Sequence, residues 1–174
     1  MVRHLRQPVV NERGERLLAI HDAGDVTASL LERTQVSLVL AHHPHGLVLV
    51  RNAHRGLWEL PGGYVDPGET AAGSAVRELR EESGLAGREM VLAGMLDIEH
   101  PAPGAGLLRC ALFRCRVDGD PSAACAEVSD VAFWRPGSAV DPISAIDEAL
   151  LLEAGDDDTR RNRMRTGHAT RIDR

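Results

Sequence analysis

GYVDPGETAAGSAVRELREESGL, at positions 63–85, is the stretch that decides the fold of this 174-residue chain. Within it, Glu78, Glu81 and Glu82 are spaced i, i+3 and i+4, so a helix projects all three carboxylates from one face within a single turn. Like charges at this spacing repel one another, and the sequence pattern indicates no basic partner for the three carboxylates. A divalent cation is therefore the obvious candidate to stabilise the three carboxylates.

Local signals predict that this stretch is a glycine loop followed by a helix. Thr70 can cap the start of a helix that ends at Ser83, and Gly84 follows where a left-handed residue often terminates a helix. An apolar stripe on the opposite side from much of the acid comprises Ala71, Ala72, Ala75, Val76 and Leu79. The helix can thus lie on a sheet while its carboxylates face a cleft, beside the flexible backbone of Gly62 and Gly63.

Short apolar runs on both sides of the stretch predict the strands of that sheet. We expect a hairpin from Val36–Ala41 and Gly46–Arg51, followed later by three strands and a second helix. The three strands are predicted over Met90–Glu99, Leu107–Val117 and Val128–Trp134, and the helix over Ile143–Glu153. The three histidines of segment 42–45 are interpreted as a solvated turn, because adjacent side chains on an extended chain point to opposite sides.

Length and patterning predict one folded domain over residues 36–155. Residues 1–35 form an N-terminal extension with a short strand or hairpin and a weak helix over Val26–Arg33, a candidate cover for a sheet edge or a contact in a homodimer. Residues 156–174, DDDTRRNRMRTGHATRIDR, have almost nothing to bury, and we expect them to be disordered.

Charge and cysteine usage narrow the class of partner. The net charge of -6 argues against nucleic acid and against an anionic membrane, since both bind basic surfaces, and it favours a small anion that arrives with a metal ion. The three cysteines contain no CxxC pair and are odd in number, which indicates reduced thiols in a cytoplasmic protein. No apolar run approaches the length that spans a bilayer.

Gly63 is followed after five residues by Glu69, and after seven more by the run Arg77–Leu85. This spacing matches every fixed position of the Nudix box, GX5EX7REUXEEXGU with U aliphatic, so the chain resembles the Nudix hydrolase family over about residues 36–153. The resemblance implies an α/β/α sandwich around a mixed β-sheet. It also implies hydrolysis of a nucleoside diphosphate linked to another group, with Mg²⁺ or Mn²⁺.

Residue roles follow from the same resemblance together with the chemistry of diphosphates. Hard cations neutralise a diphosphate and are held by carboxylates, so Glu78, Glu81 and Glu82 are the predicted metal ligands. In the resemblance, Glu82 and Glu78 form the principal pair, and the backbone at Gly62 and Gly63 offers a carbonyl ligand. The matching arginine in the family, Arg77, pairs with Glu69 to hold the loop against the helix.

The general base and the substrate contacts are less tightly specified. Family members use either a box glutamate, here Glu81 or Glu82, or one from a later loop. Of the later candidates, Glu127 and Glu99, we favour Glu127. The substrate contacts are predicted at Trp58, Gly62 and Tyr64, because an aromatic ring can stack on a base.

Pro101, sixteen residues after Leu85, resembles the ADP-ribose pyrophosphatase subgroup, as does the run Trp58–Pro61. One alternative is a pyrophosphohydrolase that acts on damaged or surplus nucleoside triphosphates. Another is a non-catalytic nucleotide-sensing module, although such proteins usually lose box carboxylates. A third, the isoprenoid diphosphate isomerase branch, requires a catalytic cysteine in its own surroundings, which none of the three cysteines has.

Overall fold

A computed structural model describes residues 2–155, and the predicted tail over 156–174 lies outside them. The strands, numbered in chain order, are β1 Val2–Val10, β2 Arg16–Asp22, β3 Val36–His43, β4 Gly46–Asn52, β5 Trp58–Glu59, β6 Gly62–Tyr64, β7 Arg88–Glu99, β8 Leu107–Arg116 and β9 Val128–Trp134. The helices are α1 Ala28–Leu31, α2 Ala71–Ser83 and α3, which covers 145–155. In this part of the chain, no helix combines the length and the apolar character that crossing a membrane requires.

All nine described strands join one sheet in the order β1-β2-β7-β8-β3-β4-β5, with β6 beside β3 and β9 beside β4. β3 and β8 run parallel, whereas the other pairs are antiparallel. The predicted mixed sheet is therefore confirmed. The predicted N-terminal extension supplies two strands of the same sheet, and β1 forms one of its edges.

Alternating side chains of the central strands form a core on each face of the sheet. On one face, the buried residues of β3 and β4 pack with those of α2; these are Val39, Ala41, Val48, Ala71, Ala75 and Leu79. On the other face they pack with α3; these are Leu40, Leu47, Leu49, Ile146, Leu150 and Leu151. The two helices on opposite faces give the α/β/α sandwich, since successive residues of a strand point to opposite sides.

α2 begins and ends where the capping signals place it. The Thr70 side chain accepts a hydrogen bond from the Gly73 backbone N–H at 3.0 Å, and Gly84 has a φ of 71°. The predicted stripe is wrong at Ala72 and Val76, which are exposed. Its buried face instead includes Ser74, because residues 71, 74, 75 and 79 share one side of a helix with 3.6 residues per turn.

The predicted hairpin of β3 and β4 pairs only at its closed end, through His42 with Leu47 and His43 with Gly46. The start of β3, Val36–Leu38, pairs instead with β6. This exchange brings the backbone of Gly62–Gly63 into the middle of the sheet. The histidine turn packs its His43 ring on Phe133, with centroids 4.3 Å apart.

Both remaining helices differ from their predicted ranges. α1 is shorter than the predicted Val26–Arg33. α3 starts two residues later than predicted, because Ile143 forms a bridge to Trp58 and the Ser144 N–H donates to the Trp58 carbonyl at 2.9 Å. α3 is therefore attached to the strand that leads into the glycine loop.

Candidate active site

The glycine loop and α2 meet through direct contacts of two box glutamates. The Gly62 N–H donates to the Glu82 carboxylate at 2.9 Å. A Cβ on Gly63 would lie 2.4 Å from Oε1 of Glu78, and one on Gly62 would lie 2.2 Å from the Ser37 carbonyl oxygen. Glycine alone leaves these contacts undisturbed, so the absence of side chains lets the two carboxylates lie against β6.

Two buried serines fix α2 on the sheet beside this contact. The Ser37 hydroxyl on β3 donates to the Ser74 hydroxyl on α2 at 2.9 Å, and Ser74 donates to the Tyr64 carbonyl at 3.3 Å. Both serines have no exposed surface. One short chain of hydrogen bonds thus joins β3, β6 and α2.

Arg77 joins the loop before α2 to the helix itself. Its Nε and Nη2 donate to the two carboxylate oxygens of Glu69 at 3.1 and 2.9 Å, and Nη2 also donates to the Tyr64 carbonyl at 3.1 Å. The hydrogen bonds to Glu69 are the main cause that raises the pKa of Arg77, and the hydrogen bond from Arg77 lowers the pKa of Glu69. The pair assigned by the resemblance therefore has two-pronged geometry, with both partners charged.

The same guanidinium also contacts the acidic cluster, which corrects the expectation that the cluster has no basic partner. Arg77 Nη1 donates to Glu78 at 2.7 Å and to Glu81 at 3.2 Å. The sequence does place Arg77 four residues before Glu81, the spacing at which helical ion pairs form. The side chain of Glu81 remains 54 % exposed, whereas that of Glu78 is 15 % exposed and lies against Gly63, and Glu82 accepts from the Gly62 N–H.

Burial is the main cause that raises the pKa of Glu82 to about 8; the nearby charges of Glu78, Glu59 and Glu127 act in the same direction, while the Gly62 N–H opposes the shift. Burial also raises the pKa of Glu78, against the influence of Arg77. Crowded, poorly solvated carboxylates of this kind favour a cation beside them.

The donor set fits a hard divalent cation, since carboxylate and backbone carbonyl oxygens are its preferred ligands. Across residues 2–155, no three or more His, Cys, Asp or Glu side chains converge as a ready-made metal centre. The exposed position of Glu81 is consistent with this, because it leaves Glu78 and Glu82 as the pair against the glycine backbone.

The two later glutamates lie in different places. The charge of Glu127 raises the pKa of both Glu78 and Glu82, and its backbone carbonyl accepts from the Ala53 N–H at 2.8 Å. Glu99, at the end of β7, forms an ion pair with Arg16 on β2 at 2.7 Å. Glu127 is therefore the one of the two whose charge acts on Glu78 and Glu82.

The two aromatic residues predicted to contact the substrate, Trp58 and Tyr64, differ in exposure. Trp58 is buried in the core that faces α3, so its ring is not available for the stacking contact predicted from the sequence. Tyr64 is 68 % exposed and lines a pocket beside Gly62 and Gly63. Trp58 instead has a structural position, where its backbone anchors the segment before α3.

That pocket has a volume of about 130 Å³ and contains six polar side chains that the sequence interpretation missed: Asn11, Arg13, Glu15, Arg55, Glu59 and Asp147. They come from the turn between β1 and β2, the segment around β5, and α3. Their separation along the chain gives no local signal of a common site. Only the turn-forming composition of NERGE, residues 11–15, could have marked part of it.

Two of the cysteines are unsuited to nucleophilic chemistry. Cys110 and Cys115 are buried, and burial raises the pKa of both thiols, that of Cys115 to about 11. Neither is a thiolate near neutral pH. This environment is not that of a catalytic cysteine, which the isomerase alternative requires.

Known proteins resemble this chain over most of its length. The NUDIX domain family matches residues 31–153. A MutT-like protein of Streptomyces ambofaciens is 27 % identical over 140 residues, which cover 80 % of this chain and 88 % of that protein.

Two crystal structures share the fold. The Bacillus subtilis pyrophosphohydrolase BsRppH, in a mutant form, has a TM-score of 0.66 at 15 % identity, covering 89 % of this chain and 96 % of its own. The NUDIX domain of Shewanella oneidensis NrtR, complexed with ADP ribose, has a TM-score of 0.61 at 17 % identity, covering 77 % and 94 %. Because the family match spans well over half of the sequence, this chain belongs to the NUDIX domain family and is a Nudix hydrolase, a pyrophosphohydrolase.

Proposed function

We propose that this chain hydrolyses the diphosphate bond of a nucleoside diphosphate linked to another moiety, with ADP-ribose or an NDP-sugar as substrate. The observation that carries the proposal is the pair of poorly solvated carboxylates, Glu78 and Glu82, held against the bare backbone of Gly62 and Gly63. A diphosphate can approach this backbone closely, and the pocket that Gly62 and Gly63 help to line has room for a further part of the substrate.

Mg²⁺ or Mn²⁺ is the proposed cofactor. Glu78 and Glu82 would hold it, with Glu81 and the carbonyl of Gly63 as further ligands. When bound, the cation supplies neutralisation of the diphosphate and a water molecule of lowered pKa. Arg77 orients the ligands by holding Glu78 and Glu81 from one side.

We assign the general base to Glu127, with Glu81 and Glu82 as the alternatives inside the box. Glu127 lies in the exposed turn just before β9, and its charge acts on both Glu78 and Glu82. A carboxylate so placed can accept a proton from water as the water attacks phosphorus. The Glu69–Arg77 pair has a positioning role, because it fixes the loop that carries Gly63 to the helix that carries Glu78.

Hydrolysis of a normal or oxidised nucleoside triphosphate is the second candidate. The similarity to the MutT-like protein, which extends over most of both chains, favours it. The ADP ribose in the NrtR structure favours the first candidate, since that ligand occupies the same fold.

A substrate panel separates the two. It contains ADP-ribose, NDP-sugars, dinucleoside polyphosphates, NADH, coenzyme A and normal and oxidised triphosphates, each with Mg²⁺ or Mn²⁺ and with products identified by mass. AMP plus ribose 5-phosphate supports the first candidate, and inorganic pyrophosphate supports the second. Inactivity on every member would instead favour a nucleotide-sensing role.

A further inference from the structure

The pocket beside Gly62 and Gly63 has one wall from outside the segment that the family matches. This wall is the Asn11–Glu15 turn, which joins β1 to β2, whereas the match begins at residue 31. The pocket contains polar groups on this side and apolar side chains of the sheet on the other, among them Val36, Leu38 and Ile98.

The turn is a preorganised unit rather than a flexible connection. The Asn11 side chain accepts from the backbone N–H groups of Arg13 and Glu15, both at 3.0 Å, and donates to Glu15 Oε2 at 2.7 Å. Arg13 donates to the same oxygen through Nε at 3.0 Å and lies 2.7 Å from it through Nη2. Asn11 and Glu15 are more than nine-tenths buried, so the guanidinium of Arg13 is fixed on a buried carboxylate.

A second arginine–glutamate pair faces the same pocket. Arg55 donates to both oxygens of Glu59, at 2.7 and 2.6 Å through Nη2. Gly62 and Gly63 line the same pocket, and these two glycines contact Glu82 and Glu78 of the acidic cluster. A group in the pocket is therefore close to the position proposed for the diphosphate.

The charges of the pocket exclude a second phosphate as its natural occupant. Two guanidinium groups are balanced by Glu15 and Glu59, and Asp147 adds a further carboxyl group. The sum is zero or one negative charge, which offers no net attraction to an anion. The volume of about 130 Å³ is below the range of about 300–1,000 Å³ for sites that bury a whole drug-sized ligand, so one neutral ring system fits best.

We propose that the Asn11–Glu15 turn and the Arg55–Glu59 pair form a wall that reads the heterocyclic base of the substrate and selects bases with an exocyclic amino group. A carboxylate beside a guanidinium complements an amino donor beside a ring acceptor, the pattern of cytosine and adenine. Uracil has a carbonyl oxygen where cytosine has its amino group. In the pocket this oxygen would face a carboxylate, and two hydrogen-bond acceptors repel each other. This inference rests on the proposed function, since it names the part of the substrate that the pocket holds.

The test uses CMP and UMP, which are equal in size and charge and differ in that one group. Their dissociation constants are measured by titration calorimetry with the full chain in Mg²⁺. The wild type should bind CMP at least about tenfold more tightly, the effect of one hydrogen bond to a charged group. A ratio below about threefold, or no binding of either nucleotide at millimolar concentration, overturns the proposal.

Arg13→Ala and Arg16→Ala form a matched pair of variants. Both arginines are about half exposed, at 53 % and 48 %, and each has a carboxylate partner at 2.7 Å, but only Arg13 lines the pocket. Arg13→Ala should reduce the CMP preference to within about threefold, and Glu15→Gln should do the same, whereas Arg16→Ala should retain it. Equal loss in Arg13→Ala and Arg16→Ala contradicts the assignment.

Turnover of CDP-glucose and UDP-glucose distinguishes this proposal from the proposed function. If the protein discriminates between CMP and UMP but cleaves neither sugar nucleotide, the base-reading wall is supported and the proposed NDP-sugar activity is contradicted. If kcat/KM is equal for both sugar nucleotides and CMP and UMP bind equally well, the base-reading wall is contradicted and the proposed NDP-sugar activity is supported.

Discussion

Gly63→Ala should disable catalysis while leaving the fold in place. A Cβ at this position would lie 2.4 Å from Oε1 and 2.6 Å from Cδ of Glu78. These atoms are the end of a flexible side chain, so the carboxylate moves and the backbone stays. At Gly62, by contrast, a Cβ would lie 2.2 Å from the backbone carbonyl of Ser37, which cannot move aside.

The size of the effect follows from this contact. Ordinary van der Waals contact starts at 3.4 Å, which is 1.0 Å longer than 2.4 Å, so the carboxylate of Glu78 must shift by about that distance. A misplacement of about 1 Å costs about 100-fold in rate. That factor corresponds to about 2.7 kcal/mol of transition-state stabilisation. The melting temperature should change little, because the substitution removes no buried group.

The assay measures turnover of the substrate that the panel identifies, at saturating Mg²⁺, together with Mn²⁺ affinity by calorimetry and Tm by circular dichroism. Gly24→Ala is the matched control, because an added Cβ at Gly24 meets nothing within 4 Å. It should behave as the wild type does. Turnover by Gly63→Ala within threefold of the wild type, with normal Mn²⁺ affinity, refutes the placement of Glu78 against Gly63.

Three further substitutions test separate parts of the site. Glu82→Gln should reduce kcat by at least about 100-fold through loss of a cation ligand, while Tm holds or rises because burial penalises the charged carboxylate; retained Mg²⁺-dependent turnover contradicts the ligand assignment. Arg77→Lys should lower activity about 10- to 100-fold, because an ammonium group cannot reproduce the two-pronged bond to Glu69, and wild-type kinetics argue against that role. Asp147→Asn should stabilise the protein above pH 6 by up to about 3 kcal/mol, since burial raises the pKa of Asp147 from 3.8 to about 6. Between these two pKa values the folded wild type binds more protons than the unfolded chain, so its stability falls as pH rises through them. The stability gain of Asp147→Asn, measured by urea unfolding, should therefore disappear near pH 4. An equal gain at pH 4 and pH 8 excludes the raised pKa of Asp147 as the cause.

Where local chemistry determines structure, the sequence predicted it well. A capping threonine at Thr70, a glycine at Gly84 and apolar spacing between them specify α2, and the strand over Val128–Trp134 has the predicted bounds. Apolar runs with turn residues on both sides also predicted β7 and β8 to within two residues. The bounds of these elements are marked by residues that are close in sequence, although the strands pair with partners far along the chain.

Long-range pairing accounts for most of what the sequence did not show. The pairing of β6 with the start of β3 depends on backbone hydrogen bonds, which leave no side-chain pattern. An aromatic ring near a glycine loop can pack in a core or stack on a ligand, and the sequence alone does not distinguish the two for Trp58. Its packing against α3 determines that the ring belongs to the core. The same holds for the first strands, whose place at the sheet edge depends on β7.

The candidate site shows the same division. The spacing of the box motif predicts that Glu78 and Glu82 lie on one face of a helix. The Asn11–Glu15 turn could not be connected with them, because the sheet brings it to the pocket from more than forty residues away in the chain. Nor does spacing show that one guanidinium, that of Arg77, contacts three glutamates at once.

The hydrogen bond between Ser37 and Ser74 has a consequence for protein engineering. The position of the carboxylates relative to the glycine backbone is set by the contacts of α2 with β3 and β6 and by the Glu69–Arg77 pair, and segment 102–105 contributes none of these hydrogen bonds. The exposed segment 102–105 between β7 and β8 is therefore a suitable point for inserting a peptide tag or a second folded domain. Such a fusion should keep the geometry of the acidic cluster, because the inserted chain lies outside the hydrogen bonds that define it.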